Sequence, residues 1–422
     1  MLEAKNHNLF KKIIPGDLTH ASVIMMLGSL AGGVLGYVFH ILLGRAFQPE
    51  EYALFSALLA VIAIFGSIRG GIGMLLVKKI TELNIKERDV ELSAIYTSLC
   101  TQFFMMFSLV LIALYVLSSY IQTYLRVPSA SYIFCLGILI FISFVASINT
   151  AVLQALQRFW ALSIIGMLNH ILRIIFIVGV AFAGFGVLGA LWGAVLASLF
   201  LLLGAYLLFK DVIGFKIRYL TRFSEFKWSG AIPVFMANIG FVVLTQLDMI
   251  LVQHYYNSLD AGLYAAASTL GKALLYLVGA IVIALFPMVA ESHAKNENPF
   301  HLLRQALIMG AIFCGIGSLI YFFEGQLIIQ LLYGNAYSSG GEILQYYGLA
   351  ILPMALVLLM ENFLIARGKV FFGYLVFLMA PIQILLIHFF HGNILNVVYV
   401  LALSGFVLLV VGFICMRTKY LN

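Results

Sequence analysis

Runs of about 20 apolar residues, the length a helix needs to cross about 30 Å of hydrocarbon, recur from residue 21 almost to the end of this 422-residue chain. Twelve can be placed, at about residues 21–43, 51–68, 93–119, 129–153, 161–183, 185–209, 229–256, 262–289, 302–323, 342–366, 369–389 and 394–416. With 63% hydrophobic and 10% charged residues, the chain has more apolar surface than a soluble globule could bury. The expected class is an all-α integral membrane protein, because a segment crossing lipid must satisfy its backbone groups internally.

Lys and Arg give an independent reading of topology, since cytoplasmic loops are enriched in them. With both termini inside, 20 of the 24 fall on the inner side. Arg45 and Arg126 fall outside, and Arg173 and Lys272 fall within spans. The net charge of +7 is therefore mostly topology, with no basic face that calls for nucleic acid. The first apolar run is too long for a cleavable signal and lacks a convincing cleavage site. Before it, LFKKIIPGD reads equally as a short interfacial segment or as a topogenic flank. Cys100, Cys135, Cys314 and Cys415 are solitary, which suggests neither a disulfide framework nor a metal cluster.

The polar insertions are residues 69–92 and 210–228. The second divides the chain into an N-terminal six-helix lobe (1–209), a cytoplasmic linker (210–228) and a C-terminal six-helix lobe (229–422). Ile41 to Phe55, ILLGRAFQPEEYALF, lies without gaps on Ile250 to Tyr264, ILVQHYYNSLDAGLY, at an offset of 209. LQALQRFW (153–160) lies on LIARGKVF (364–371) at an offset of 211. Two matches at nearly one offset, in corresponding links, indicate a duplicated half. Six is even, so the halves share an orientation and enclose a cavity between them.

Charges inside spans are costly and mark function or pairing. Lys272 lies near the middle of the eighth span and Asp248 about eight residues from the outer end of the seventh. They read either as a structural ion pair or as cavity groups, Lys272 meeting an anion and Asp248 carrying a proton or cation. Asn238 and Thr245 share the face of Asp248, and Pro233 and Gly240 could bend that helix. Asn169, His170 and Arg173 share a face of the fifth span, with Arg173 free to pair with Glu361 or serve a substrate anion. Arg69 and Arg45, at the ends of the second and first spans, are either anchors or substrate contacts. Tyr255, Tyr256, Tyr264 and Tyr276 could stack on sugars, although Tyr255 and Tyr256 also suit an interface belt. Gly28, Gly32 and Gly36 read as a helix-packing stripe.

No phosphate-binding loop is present, because Gly271-Lys272 lacks both the upstream glycine and a following Ser or Thr. The longest outer loop, about residues 324–341, has no room for a catalytic domain. An enzyme is not expected, nor is any cofactor.

Three stretches, HILLGRAFQPEEYALFSALLAVIAIFGSIRGGIGMLLVKKI, ILVQHYYNSLDAGLYAAASTLGKALLYL and IIQLLYGNAYSSGGEILQYYGLA, resemble the polysaccharide-export branch of the multidrug/oligosaccharidyl-lipid/polysaccharide flippase superfamily. The chain departs from many members at Tyr52, where Gly is common, while its second copy keeps Gly262. The resemblance implies two six-helix bundles around a cavity that opens alternately to each side of the cell (inner) membrane. It also implies a polyprenyl-diphosphate-linked oligosaccharide as substrate, with membrane lipids and glycan-assembly proteins as partners. Lys272, Arg173, Arg69, Arg45, Tyr276 and Asn238 are then substrate candidates, and Asp248 and Glu361 candidates for proton or sodium coupling. A cation-coupled multidrug exporter and a non-transporting scaffold of a glycan-assembly complex stay open as alternatives.

Overall fold

Each apolar run becomes a helix, and no strand occurs among the described residues. The computed structural model describes residues 17–84, 89–211, 213, 232–294 and 298–417. Within these, some side chains, including those of residues 17–30, Arg69 and Pro233, lie outside the description. The helices are α1 (Asp17–Ala46), α2 (Pro49–Asn84), α3 (Asp89–Val116), α4 (Ala130–Ala155), α5 (Phe159–Phe182) and α6 (Gly186–Leu207) in the first half. The second half has α7 (Ile232–Tyr255), α8 (Ser258–Gly271 continued by Ala273–Ala294), α9 (Phe300–Tyr333), α10 (Gly341–Ala366), α11 (Phe371–Phe390) and α12 (Ile394–Arg417). Eleven of them are long and apolar enough to span among the described residues, and α1 supplies the twelfth run with 30 residues. The candidate interfacial segment before α1, the surroundings of Gly28 and most of the 210–228 linker lie outside the described residues.

Two stretches expected as loops are helical. The polar tail after the second apolar run continues α2 to Asn84, since KKITELN contains no breaker. The outer loop expected at 324–341 is instead the end of α9, bent at Glu324 (φ −118°, ψ 16°), followed by the 3₁₀ turn Asn335–Gly340. The apolar sequence QLIIQLLY there favours continued helix over an exposed loop.

The sequence repeat is visible bond by bond. Phe47 N–H donates to the Leu43 carbonyl (3.0 Å), and 209 residues later Tyr256 N–H donates to Val252 (3.1 Å). Tyr52 N–H bonds Gln48 O and Ala261 N–H bonds Asn257 O, both at 3.0 Å. The acids that the two links share act on helix starts. Glu51 accepts from Gln48 N–H at 3.3 Å, and Asp260 engages the capping residue Asn257, whose side-chain oxygen accepts from Asp260 N–H at 2.8 Å. At the offset of 211, Gln157 (φ 56°) and Gly368 (φ 73°) are both left-handed. The following amides, Arg158 and Lys369, each donate at 2.9 Å to the carbonyl five residues back, the six-to-one bond of a Schellman turn.

Helix packing repeats in the same way. α1 packs on α5, α2 on α4, α3 on α4 and α4 on α6; six helices on, α7 packs on α11, α8 on α10, α9 on α10 and α10 on α12. The result is two six-helix bundles, joined where α2 lies against α7 and α8. Twelve crossings put the start of α1 and the end of α12 on one side, here the terminal side, with six links on the opposite, far side.

Several hydrogen bonds join the halves on the far side. Arg45 donates to the Leu331 and Leu332 carbonyls at 2.6 and 2.8 Å, and Tyr337 donates to Phe47 O at 2.9 Å. Arg126 donates to Tyr256 O, and Gln253 to Leu125 O at 3.2 Å. The start of α8 presses on the start of α2 so closely that a Cβ on Gly262 would stand 2.1 Å from the Pro49 carbonyl oxygen. Gly262→Ala should therefore destabilise the protein by about 1–3 kcal/mol. Gly315→Ala, in the interior of α9 with open space around it, should stabilise it by about 0.5–1 kcal/mol. Thermal unfolding of the detergent-solubilised protein should show the two shifts with opposite sign.

Candidate functional site

A cavity of about 930 Å³ lies between the halves, walled by α1, α2, α4, α5 and α6 on one side and by α7 and α8 on the other. It reaches from Lys272 and Arg173 toward Leu162, near the start of α5, and Ala205, near the end of α6. These lie on the terminal side, so the cavity opens there, beneath the sealed far side.

The seventh and eighth spans bring their charges together. Lys272 Nζ lies 3.2 Å from Asp248 Oδ1, and Tyr264 and Tyr347 donate their hydroxyls to Asp248 Oδ2 at 2.9 and 2.8 Å. The carboxylate is fully buried, whereas the Lys272 side chain keeps 11% exposure and lines the cavity. α8 is interrupted at Lys272, which caps Ser258–Gly271 before the helix resumes at Ala273. Tyr347 of α10 can reach Asp248 because Gly271 offers no side chain; a Cβ there would stand 2.2 Å from the tyrosine ring.

Arg173 faces the cavity from α5, and its guanidinium carbon lies 4.4 Å from the centre of the Phe39 ring. Immediately after it the helix makes a π turn, Ile174–Val178, an irregularity that resets the helical phase and recurs at functional sites. Among the described residues Arg173 has no carboxylate partner, so it stacks on an aromatic ring and keeps its charge available to the cavity. His40 of α1 also lines the cavity; its Nδ1 lies 3.4 Å from the Tyr52 hydroxyl, which donates to Thr269 Oγ1 at 3.3 Å and meets the Tyr333 hydroxyl at 3.2 Å. Tyr37 and Tyr276 meet edge to face across the gap, with ring centres 5.6 Å apart.

Of the candidates taken from the sequence, the cavity brings together Lys272, Arg173, Tyr276, Asn169 and His170, with Asp248 directly behind Lys272. Arg45 is elsewhere, its guanidinium occupied by carbonyls at the end of α9. Asn238 is exposed on α7 and does not line the cavity. The Arg69 side chain lies outside the described residues. Glu361 is buried in α10 with neither carboxylate oxygen hydrogen-bonded among the described residues. It does not pair with Arg173, which belongs to the other half. Gly240 does not act as a bend, because α7 runs on unbroken and the glycine admits the backbone of α11 at Phe377. Thr245 turns its hydroxyl back to the carbonyl of Phe241. Tyr264 is buried on Asp248, and the Tyr255 hydroxyl lies 2.7 Å from His388 Nδ1 on the far side, so neither is placed to stack on a cavity ligand.

Sequence reasoning missed Tyr347, His40, Tyr37 and Gln246. His40, an imidazole inside the apolar run VFHILL, was a readable signal. Tyr347 was not, since its partner lies 99 residues away. The buried pair makes a sharp expectation. Lys272→Ala leaves the Asp248 charge uncompensated and should cost about 3–5 kcal/mol, whereas Lys272→Met with Asp248→Asn should recover most of that loss in thermal unfolding. Tyr347→Phe alone should cost about 1–3 kcal/mol.

Known proteins can be set beside this geometry. An uncharacterized membrane protein of Methanocaldococcus jannaschii is 22% identical over 373 residues, covering 83% of this chain and 86% of that protein. Among solved structures, the lipid II flippase MurJ in an inward closed conformation matches with a TM-score of 0.75 at 16% identity, over 94% of this chain and 88% of that one. An inward-facing multidrug resistance transporter of the MATE family, in the MOP superfamily, matches with a TM-score of 0.73 at 12% identity, over 94% of this chain and 97% of its own. The fold is thus that of MurJ and the MATE transporters. Residues 18–293, the greater part of the chain, match the family described as polysaccharide biosynthesis protein, and the chain belongs to that family.

Proposed function

We propose that the protein is a flippase that carries a polyprenyl-diphosphate-linked oligosaccharide from the cytoplasmic to the outer leaflet by alternating access. The observation that carries this reading is the pair of cations, Arg173 and Lys272, facing one cavity from opposite halves at mid-membrane depth. A diphosphate and a hydroxyl-rich glycan cannot cross hydrocarbon unaided, and a cavity of this size with two cations supplies replacement solvation while the prenyl tail stays in lipid. The multidrug-exporter alternative is less well supported, since the two cations would repel cationic drugs and the cavity lining includes no carboxylate among the described residues.

The Lys and Arg bias supports a cytoplasmic terminal side and the flippase reading an inner cell membrane, so that the open cavity would face the side on which such a substrate is made. Closing the terminal side and parting the far-side seam would present the same cations outward. Asp248 is the leading candidate for coupling to a proton or sodium ion, because substrate phosphate drawing Lys272 away would leave its charge to be neutralised. Glu361, buried without a hydrogen-bonding partner among the described residues, is the second. Glycan-assembly proteins are the expected partners.

In proteoliposomes, Arg173→Gln at matched protein amounts should slow movement of a polyprenyl-diphosphate oligosaccharide by about ten- to a hundredfold, the loss of one charge-assisted contact; transport at the wild-type rate would refute the assignment. For topology, Asn393→Cys in the α11–α12 link should react with an impermeant maleimide on whole cells, and Asn298→Cys between α8 and α9 should react only after lysis.

A further inference from the structure

Three walls of the cavity share one order of chemistry along the membrane normal. On α8, which runs from the far to the terminal side, Lys272 is followed one turn later by Tyr276. On α5, which runs the opposite way, Arg173 is preceded one turn earlier by Asn169 and His170. On α1, Phe39 lies beneath Arg173 and His40 beside Tyr52; toward the terminal side come Tyr37 against Tyr276 and Gly36 and Gly32 against His170. A cationic layer therefore lies deep in the cavity, and an aromatic and amide layer lies one turn nearer its mouth.

The second layer has the composition a pyranose requires. Tyr276 is 65% exposed although it sits within the span, and it lines the cavity. Asn169 presents an amide from the opposite wall, with the imidazole of His170 beside it. The space between is kept clear, since a Cβ on Gly33, Gly66 or Gly166 would meet nothing within 4 Å. One helical turn separates side chains by about 5–6 Å, comparable to the step from the middle of a diphosphate to the centre of the sugar ring it carries.

We propose that Tyr276, backed by Tyr37 and faced by Asn169 and His170, forms a subsite for the first sugar attached to the diphosphate, with the diphosphate bound deeper on Lys272 and Arg173. The subsite rests on the flippase reading and adds to it an orientation: the diphosphate lies toward the sealed far side and the glycan trails toward the cytoplasmic mouth. Tyr276 supplies the stacking face, Asn169 and His170 the hydrogen bonds to the ring edge, and the glycines the room for the ring.

The test compares two probes in nanodiscs, a polyprenyl diphosphate and the same lipid carrying one N-acetylglucosamine. Tyr276→Leu, which keeps apolar bulk and removes the ring, should weaken binding of the glycosylated probe roughly three- to tenfold and leave the bare diphosphate unaffected. Tyr276→Phe should bind both as wild type does, and Gly166→Val should weaken the glycosylated probe alone by filling the slot. Arg173→Gln should weaken both probes. The subsite is overturned if Tyr276→Leu weakens both probes alike or neither, while Arg173→Gln still weakens both. If wild-type protein binds neither probe, the flippase reading fails and takes the subsite with it, an outcome distinct from the first.

Discussion

The Asp248 carboxylate sits where three transmembrane helices meet, in a medium that offers it no water. Its charge is met by Lys272 Nζ and by the hydroxyls of Tyr264 and Tyr347, so α7, α8 and α10 are fixed relative to one another by one group. The desolvation of a buried charge is tolerable only with such complete pairing, and several local features follow from that requirement. Gly271 has no side chain so that Tyr347 can pass, and α8 breaks at Lys272. The lysine keeps one flank open to the cavity.

The first half meets the same problem by another chemistry. At the offset of 209 the counterpart of Asp248 is Phe39, and it is Phe39 that lies beneath the Arg173 guanidinium. Each half thus presents a cation to the shared cavity, one supported by a carboxylate and the other by an aromatic face. The cation on the ring is not neutralised by its support, whereas Lys272 is already paired with Asp248. The two halves therefore hold their cations in electrostatically different ways despite a common frame.

The cavity itself is also unequal. The first half contributes five helices to its walls and the second only α7 and α8, although helix pairings repeat faithfully between the halves. The repeat is preserved where backbone geometry is demanding, in the capped starts of α2 and α8 and the left-handed turns at Gln157 and Gly368. It has diverged where side chains face the cavity or the seam. Tyr52, whose counterpart at the offset of 209 is Ala261, is one such divergence: its hydroxyl meets His40 and, across the seam, Thr269 and Tyr333, contacts that an alanine could not make.

The twelve spans and the duplication were legible in the sequence because each depends on local rules: apolar length against bilayer thickness, and turn residues repeated at one offset. Lys272, Arg173 and Asp248 stood out because a charge in an apolar run is costly wherever it is placed. Which charges meet, which face the cavity and which merely cap a helix end could not be read this way. Arg45 and Arg173 were both substrate candidates, yet one is occupied by the carbonyls of α9 and the other stands over Phe39. Those outcomes depend on helix rotation and on contacts between residues a hundred or more positions apart, and packing in three dimensions alone decides them.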